Sequence, residues 1–201
     1  MVKLFGNLRA KYEAAIQPVG KFLGRTGVTP NGISTLSLMI AALAGVLYAS
    51  RSPVLGAVVL LISGAVDMLD GAVARATGSV SPFGAVYDPV LDRYAEFAVL
   101  FGMGVGGLAP WPWVVFGLFG MVIASYTRAR AESAGGLKSC RVGIAERQEK
   151  IILLAIGSFL QPFFSLAVSL SVLVVGILSH ITVVQRLHFT MTQTRGSSGH
   201  V

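Results

Sequence analysis

The sequence predicts an all-α integral membrane protein with six transmembrane helices, preceded by an amphipathic juxtamembrane helix. Hydrophobic residues make up 54% of the 201 residues and charged residues only 12%, with a mean hydropathy of +0.73. Apolar stretches of membrane-spanning length recur along the chain. Sixteen Lys and Arg outnumber nine Asp and Glu, and they collect in alternate connections between those stretches.

The amphipathic segment is expected over residues 1–28, where apolar residues alternate with lysines and arginines as in a helix on an anionic membrane surface. Pro18 is expected to break this helix in two. The six-helix domain follows over residues 29–190, and Thr29-Pro30-Asn31 has the residue types that begin a helix. Residues 191–201 are expected to form a disordered tail.

Six apolar stretches provide the expected spans: 31–50, 53–74, 84–107, a fourth from the Pro110–Trp113 turn to about Ser125, 151–160 and 163–185. The fifth is short unless its helix begins near Glu146. Basic residues lie mostly on one side of this layout, and the opposite loops hold only Arg51. This asymmetry predicts a protein of the cell membrane with both termini, and the active site, at the cytoplasmic face.

Composition also argues against other classes of protein. A basic chain could bind nucleic acid, but this sequence has hardly a soluble segment to carry a solvated basic face. Cys140 is the single cysteine, so no internal disulfide can form, and with three scattered histidines a structural zinc site is not expected.

Four aspartates stand in the stretch from Asp67 to Asp92, where apolar residues are expected. Asp67 and Asp70 are three residues apart, and Asp88 and Asp92 are four apart, so each pair shares one face of a helix. Two such helices side by side would bring four carboxylates together. Because like charges at close range repel strongly in a medium of low dielectric, we expect Mg²⁺ or Mn²⁺ there.

The residues around the aspartates indicate the ligand. Gly71, Ala74 and Gly84 have almost no side chain and leave room for close approach. Arg75 supplies a planar cation suited to phosphate. Carboxylates, small residues and a guanidinium together favour a metal-bound pyrophosphate.

The pattern DxxDGxxAR, eight residues, then GxxxDxxxD resembles the signature of the CDP-alcohol phosphotransferase family, and this chain fills every position: Asp67, Asp70, Gly71, Ala74, Arg75, Gly84, Asp88 and Asp92. The resemblance implies transfer of a substituted phosphate from a CDP-alcohol to an acceptor hydroxyl, with release of CMP. It further implies a homodimer, with one or two Mg²⁺ or Mn²⁺ ions.

The resemblance also implies a role for each residue. Asp67, Asp70 and Asp88 would be metal ligands, and Asp92 the general base and a candidate ligand of a second metal. The implied CDP-alcohol site contains the following residues: Asn31, Gly71, Ala74, Arg75, Ser81 and Gly84.

The acceptor is indicated by SYTRARAES and VGIAERQEK, which with Gln185-Arg186-Leu187 resemble the branch that makes phosphatidylinositol phosphate and its archaeal counterpart. Matching positions in that branch hold the phosphate of inositol phosphate, here Arg128, Arg147 and Arg186, with Arg130 as a further candidate. The implied reaction joins CDP-diacylglycerol or CDP-archaeol to inositol phosphate. Gln148 and Lys150 depart from the branch's usual Pro and Arg, which leaves the acceptor open.

Several alternatives stay open. Glycerol phosphate, serine or inositol could be the acceptor, or CDP-inositol the donor, in the same chemistry. A cation or proton transporter would need its aspartates near the bilayer midplane, and an intramembrane aspartyl protease would need only two. Glu96, one turn beyond Asp92, either orients Arg93 or Asp92 or lines a wet cavity.

Overall fold

The computed structural model describes residues 18–197, with side chains to residue 194. All regular structure within that range is helical: residues 18–25 are helical and six longer helices follow. These are α1 (Pro30–Ala49), α2 (Pro53–Thr77), α3 (Pro82–Val105), α4 (Trp111–Ser133), α5 (Arg147–Leu160) and α6 (Ala167–Ser197). Most of the segment expected to be amphipathic, residues 1–17, lies outside the described residues.

Short polar caps explain where α1 and α3 begin. The Thr29 hydroxyl accepts a hydrogen bond from the Gly32 N–H at 3.1 Å, and Ser81 does the same for Gly84 at 3.0 Å. A proline follows each cap, where its missing N–H costs nothing. The expected start of the first span at Thr29-Pro30-Asn31 is therefore confirmed.

The later helices depart from the expected bounds. Helix α4 begins at Trp111, so the expected interfacial turn is its first turn, and it continues to Ser133. Helix α6 begins at Ala167, because residues 161–166 form turns held by Gln161, whose side chain donates to the Ser165 carbonyl and accepts from the Val168 N–H. It also continues to Ser197, seven residues into the segment that we expected to be disordered.

The outer surface and helix lengths are those of an integral membrane protein. Three helical stretches of the described chain are long and apolar enough to cross a membrane: Pro30–Ala49, Pro53–Thr77 and Ala167–Thr194. Large apolar side chains point outward, among them Met39, which is 65% exposed. Helix α5, with 14 residues, is only about 21 Å long.

Helix α1 packs against α2 and α3, α4 packs against α6, and α5 joins α2 to α6. The buried centre contains Tyr48, Leu100 and Met103, and the Tyr48 hydroxyl lies 3.0 Å from that of Ser158. The starts of α1, α3 and α5 meet the ends of α2 and α4 at one end of the bundle. That end carries the aspartates.

Helices α1 and α3 approach closely enough for their backbones to touch at Gly45 and Gly102. A methyl group on Gly102 would overlap the carbonyl oxygen of Gly45, and one on Gly45 would overlap that of Ala98. The two helices can therefore pack at this distance only with glycine at both positions. This contact fixes α3, and its aspartates, relative to α1.

Gly102→Ala should destabilise the protein by about 1–3 kcal/mol or more, because backbone atoms cannot move aside as a side-chain tip can. The measurement is the melting temperature of purified protein in detergent. Gly64→Ala is the matched control, since its new methyl would meet only the side chain of Ile151 at 3.4 Å. Equal melting temperatures for the two variants would contradict the packing argument.

Candidate metal and donor site

Three carboxylates converge where the end of α2 meets the start of α3. Asp67, Asp70 and Asp88 each offer an oxygen atom, and these atoms lie within 4.8 Å of one another. All three residues are half-buried. Helical spacing aligns Asp67 with Asp70 on α2, and the packing of α2 and α3 on α1 adds Asp88.

Asp92, the fourth predicted carboxylate, lies next to this triad and is joined to it through an arginine. Its Oδ1 lies 2.6 Å from Arg147 Nη1, and the same Arg147 nitrogen pairs with Asp67. Its Oδ2 faces Arg93 at 3.7 Å. A guanidinium from α5 thus bridges the triad and the fourth aspartate.

Serines on α1 hold two of the triad carboxylates, which the sequence analysis missed. The Ser34 hydroxyl donates to Asp70 Oδ2 at 2.7 Å, and that of Ser37 lies 3.4 Å from Asp67 Oδ1. Both serines are buried, and Ser37 also contacts Ser63 on α2. The sequence does contain a signal for these contacts, because two serines three residues apart in an apolar span lie on one face of the helix.

The triad fits a divalent cation. Its ligand atoms are all carboxylate oxygens, which hard cations such as Mg²⁺ and Mn²⁺ prefer. Asp88 Oδ1 is buried and has no hydrogen-bond partner among the described residues. Because an unpaired buried carboxylate oxygen is costly, a cation at this point would satisfy it.

Small and polar residues of α1 and α3 meet at the start of α3. A methyl group on Gly84 would come within 3.1 Å of Ser81 Oγ and 3.3 Å of Asn31 Oδ1. These three predicted donor-site residues are therefore neighbours. Thr35 and Tyr87 share a hydrogen bond of 3.0 Å next to them and tie α1 to α3.

Arg75, at the end of α2, lies over Gly71. A methyl group on Gly71 would meet Arg75 Nη1 at 3.1 Å, so the absence of a side chain there makes room for the guanidinium. Arg75 is exposed, Ala74 is half-buried beside it, and the Gly71 N–H contacts the Asp70 carboxylate. The predicted donor residues on α2 thus border the triad directly.

The four arginines predicted to bind the acceptor have different environments. Arg147 contacts the aspartates, as described above. Arg186 is buried and donates to the carbonyls of Val142 and Ala124, while Arg128 pairs with Glu132 at 3.0 Å. Arg128 and Arg186 lie within electrostatic range of each other, whereas Arg130 is exposed near the end of α4.

The connection between α4 and α5 is fastened to the helices around it. Glu132 accepts from the Cys140 N–H at 2.9 Å, Gln185 accepts from the Ile144 N–H at 3.0 Å, and Arg186 donates to the Val142 carbonyl at 3.0 Å. Each contact satisfies a backbone group that would otherwise be unpaired near the membrane. The loop therefore has a defined path beside the arginines.

Comparison with known proteins places this geometry in a family. The pattern of the CDP-alcohol phosphatidyltransferase family matches residues 27–192. An archaetidylinositol phosphate synthase of Pyrococcus horikoshii is 37% identical over 185 residues, covering 92% of this chain and 95% of the relative.

Solved structures agree. Mycobacterium tuberculosis phosphatidylinositol phosphate synthase, crystallised with CDP-DAG bound, is 31% identical with a TM-score of 0.76, covering 88% of this chain and 94% of that one. The same enzyme in complex with manganese and citrate gives a TM-score of 0.76 at 31% identity, with 88% and 89% covered. The likeness thus extends over most of both chains.

Ser34→Ala should weaken Mn²⁺ binding about 10-fold or more, because it removes a hydrogen bond that orients a candidate ligand, Asp70. The measurement is Mn²⁺ titration of purified protein followed by electron paramagnetic resonance. Ser50→Ala is the control, since this exposed hydroxyl donates to the Val46 carbonyl and to no carboxylate of the described residues. Equal affinities in the two variants would show that the α1 serine does not support the metal.

Proposed function

This chain belongs to the CDP-alcohol phosphatidyltransferase family, and from that premise we propose that it joins a CDP-activated lipid to inositol phosphate and releases CMP. The observation that carries the proposal is the carboxylate triad with Arg75 on one side and the Arg147–Asp92 pair on the other. A diphosphate donor needs cations around its phosphates, and an acceptor hydroxyl needs a base. This arrangement offers both.

Asp67, Asp70 and Asp88 would hold the divalent metal, which we take to be one or two Mg²⁺ ions. Bound there, the metal supplies positive charge to the pyrophosphate oxygens of the donor. Arg75 would add hydrogen bonds to the same phosphates, and Gly71 and Gly84 would let them approach the backbone. Asn31, Ser81 and Ala74 would complete the proposed donor site.

Asp92 would serve as the general base. In the proposed step, the acceptor hydroxyl oxygen forms a bond to the β-phosphorus of the donor as its proton passes to the Asp92 carboxylate. The bond between that phosphorus and the bridging oxygen breaks, and CMP leaves with the electron pair. Arg147 would orient Asp92, since the pair is held at 2.6 Å.

The acceptor is proposed to be anionic. Arg147 lies at the site, and Arg128 and Arg186 lie near each other between α4 and α6, with Arg130 farther along α4. The names of the relatives support inositol phosphate in particular. They also support either type of donor, since one relative is named for an archaetidyl product and another was crystallised with CDP-DAG.

We further propose six spans within a domain of residues 29–190, an amphipathic segment before it, a homodimer, and an active site at the cytoplasmic face of the cell membrane. Helices α3 and α4, with 24 and 23 residues, are long enough to span despite their charged residues. The aspartates lie at one end of the bundle. This position supports an enzyme that meets a water-soluble acceptor rather than a transporter, whose ions cross the midplane.

Purified protein with a CDP-lipid and Mg²⁺ should release CMP when inositol phosphate is added, and Asp92→Asn should lower the rate by about 100-fold or more. Glycerol phosphate, serine, inositol and no acceptor are run in parallel, with EDTA as the metal control. Release with a different acceptor would overturn the acceptor assignment and keep the chemistry. Absence of release with every acceptor would overturn the proposed reaction.

Arg128→Gln should raise KM for inositol phosphate about 10-fold while KM for the CDP-lipid stays within about twofold, because a guanidinium–phosphate contact is lost on the acceptor side only. The measurement is steady-state kinetics with each substrate varied in turn. Arg141→Gln, which removes an exposed positive charge from the neighbouring loop, is the control. Parallel changes in both KM values would argue against a phosphate contact.

A further inference from the structure

Behind Asp92, on the side away from the triad, lies a buried group of charges where α3, α4 and α5 meet. Glu96 on α3 is only 8% exposed and Lys150 on α5 only 5%. Arg93 and Arg147 complete the group, both within electrostatic range of Glu96. Charges buried this deeply in a membrane protein are costly unless they are paired, and such residues usually have a function.

Arg93 is shared between two carboxylates but lies closer to Glu96. Its Nη1 is 2.7 Å from Glu96 Oε2, whereas its Nη2 is 3.7 Å from Asp92 Oδ2. The same Nη1 donates to the Met121 carbonyl of α4 at 3.2 Å. Glu96 and this carbonyl together hold the guanidinium at a distance from Asp92.

The difference matters because the two oxygens of Asp92 have different surroundings. Oδ1 is engaged by Arg147 at 2.6 Å, so Oδ2 is the oxygen left to accept a proton from a hydroxyl. A guanidinium hydrogen-bonded to Oδ2 would compete with the acceptor hydroxyl for that oxygen. Arg93 is next to Asp92 in the chain, and its Nη2 lies 3.7 Å from Oδ2.

Glu96 also balances the cations of α5. A small cavity of about 20 Å³ between the helices has a mostly apolar lining, and Glu96, Arg147 and Lys150 are its charged members. Glu96 Oε1 and Arg147 Nε are buried there without hydrogen-bond partners in the described part of the chain.

We propose that Glu96 is a positioning residue that holds Arg93 against α4, and so keeps Asp92 Oδ2 free to take the proton of the acceptor hydroxyl. This inference rests on the proposed function, because it concerns Asp92 as the base. It makes Glu96 necessary only while Arg93 is present. Without its anionic partner, Arg93 turns to Asp92, the nearest remaining carboxylate.

Kinetics of Glu96→Gln, Arg93→Gln and the double variant test the proposal. Glu96→Gln keeps the side-chain shape and should lower kcat about 10-fold or more, with KM for the CDP-lipid within about twofold. The double variant should recover kcat to that of Arg93→Gln. A double variant as slow as Glu96→Gln, or a Glu96→Gln variant with unchanged kcat, would overturn the proposal.

A structure of the Glu96→Gln variant gives a second test that needs no activity. The distance from Arg93 Nη2 to Asp92 Oδ2 should shorten from 3.7 Å to a direct hydrogen bond. An unchanged distance would overturn the proposal even if kcat fell. Arg51→Gln, which neutralises an exposed charge in the turn between α1 and α2, is the kinetic control and should match the wild type. Wild-type protein that releases no CMP would instead count against the proposed function, leaving this distance as the deciding measurement.

Discussion

Repulsion between closely spaced carboxylates is the constraint on which this structure depends. Three aspartates with oxygens within 4.8 Å of one another would separate if their helices were free to move. The close backbone contact of Gly45 with Gly102 fixes α3 against α1, and Ser34 donates a hydrogen bond to Asp70. Helix packing and hydrogen bonds therefore keep a divalent cation site formed in advance.

Opposite charges continue outward from the triad in alternation. Asp67 contacts Arg147, and Arg147 also contacts Asp92. Asp92 faces Arg93, which pairs with Glu96, so that helices α2, α3 and α5 contribute to one ionic network. Burial makes each member dependent on its neighbours, since a lone charge here would lack both water and a partner. The distance of a residue from the triad therefore does not by itself show whether the residue is catalytic or supports a catalytic one.

Much of the fold and of the triad could be predicted, because the signals are local. Spacings of three and four place aspartates on helix faces, and Thr29 and Ser81 mark helix starts. The contact of Arg147 with Asp67 and Asp92 could not be predicted, since Arg147 lies on a helix 55 residues beyond Asp92. The contacts of Arg186 with loop carbonyls depend in the same way on the path of the connection between α4 and α5.

The shortness of α5 has a consequence for how the two reactants meet. Helix α5, at about 21 Å, is shorter than a hydrocarbon layer of about 30 Å, so as one of the six proposed spans it would bring Arg147, in its first turn, below the surface of that layer. In that proposed arrangement, water would reach inward to the level of the aspartates. A water-soluble reactant and a lipid can meet there without either one leaving its own phase.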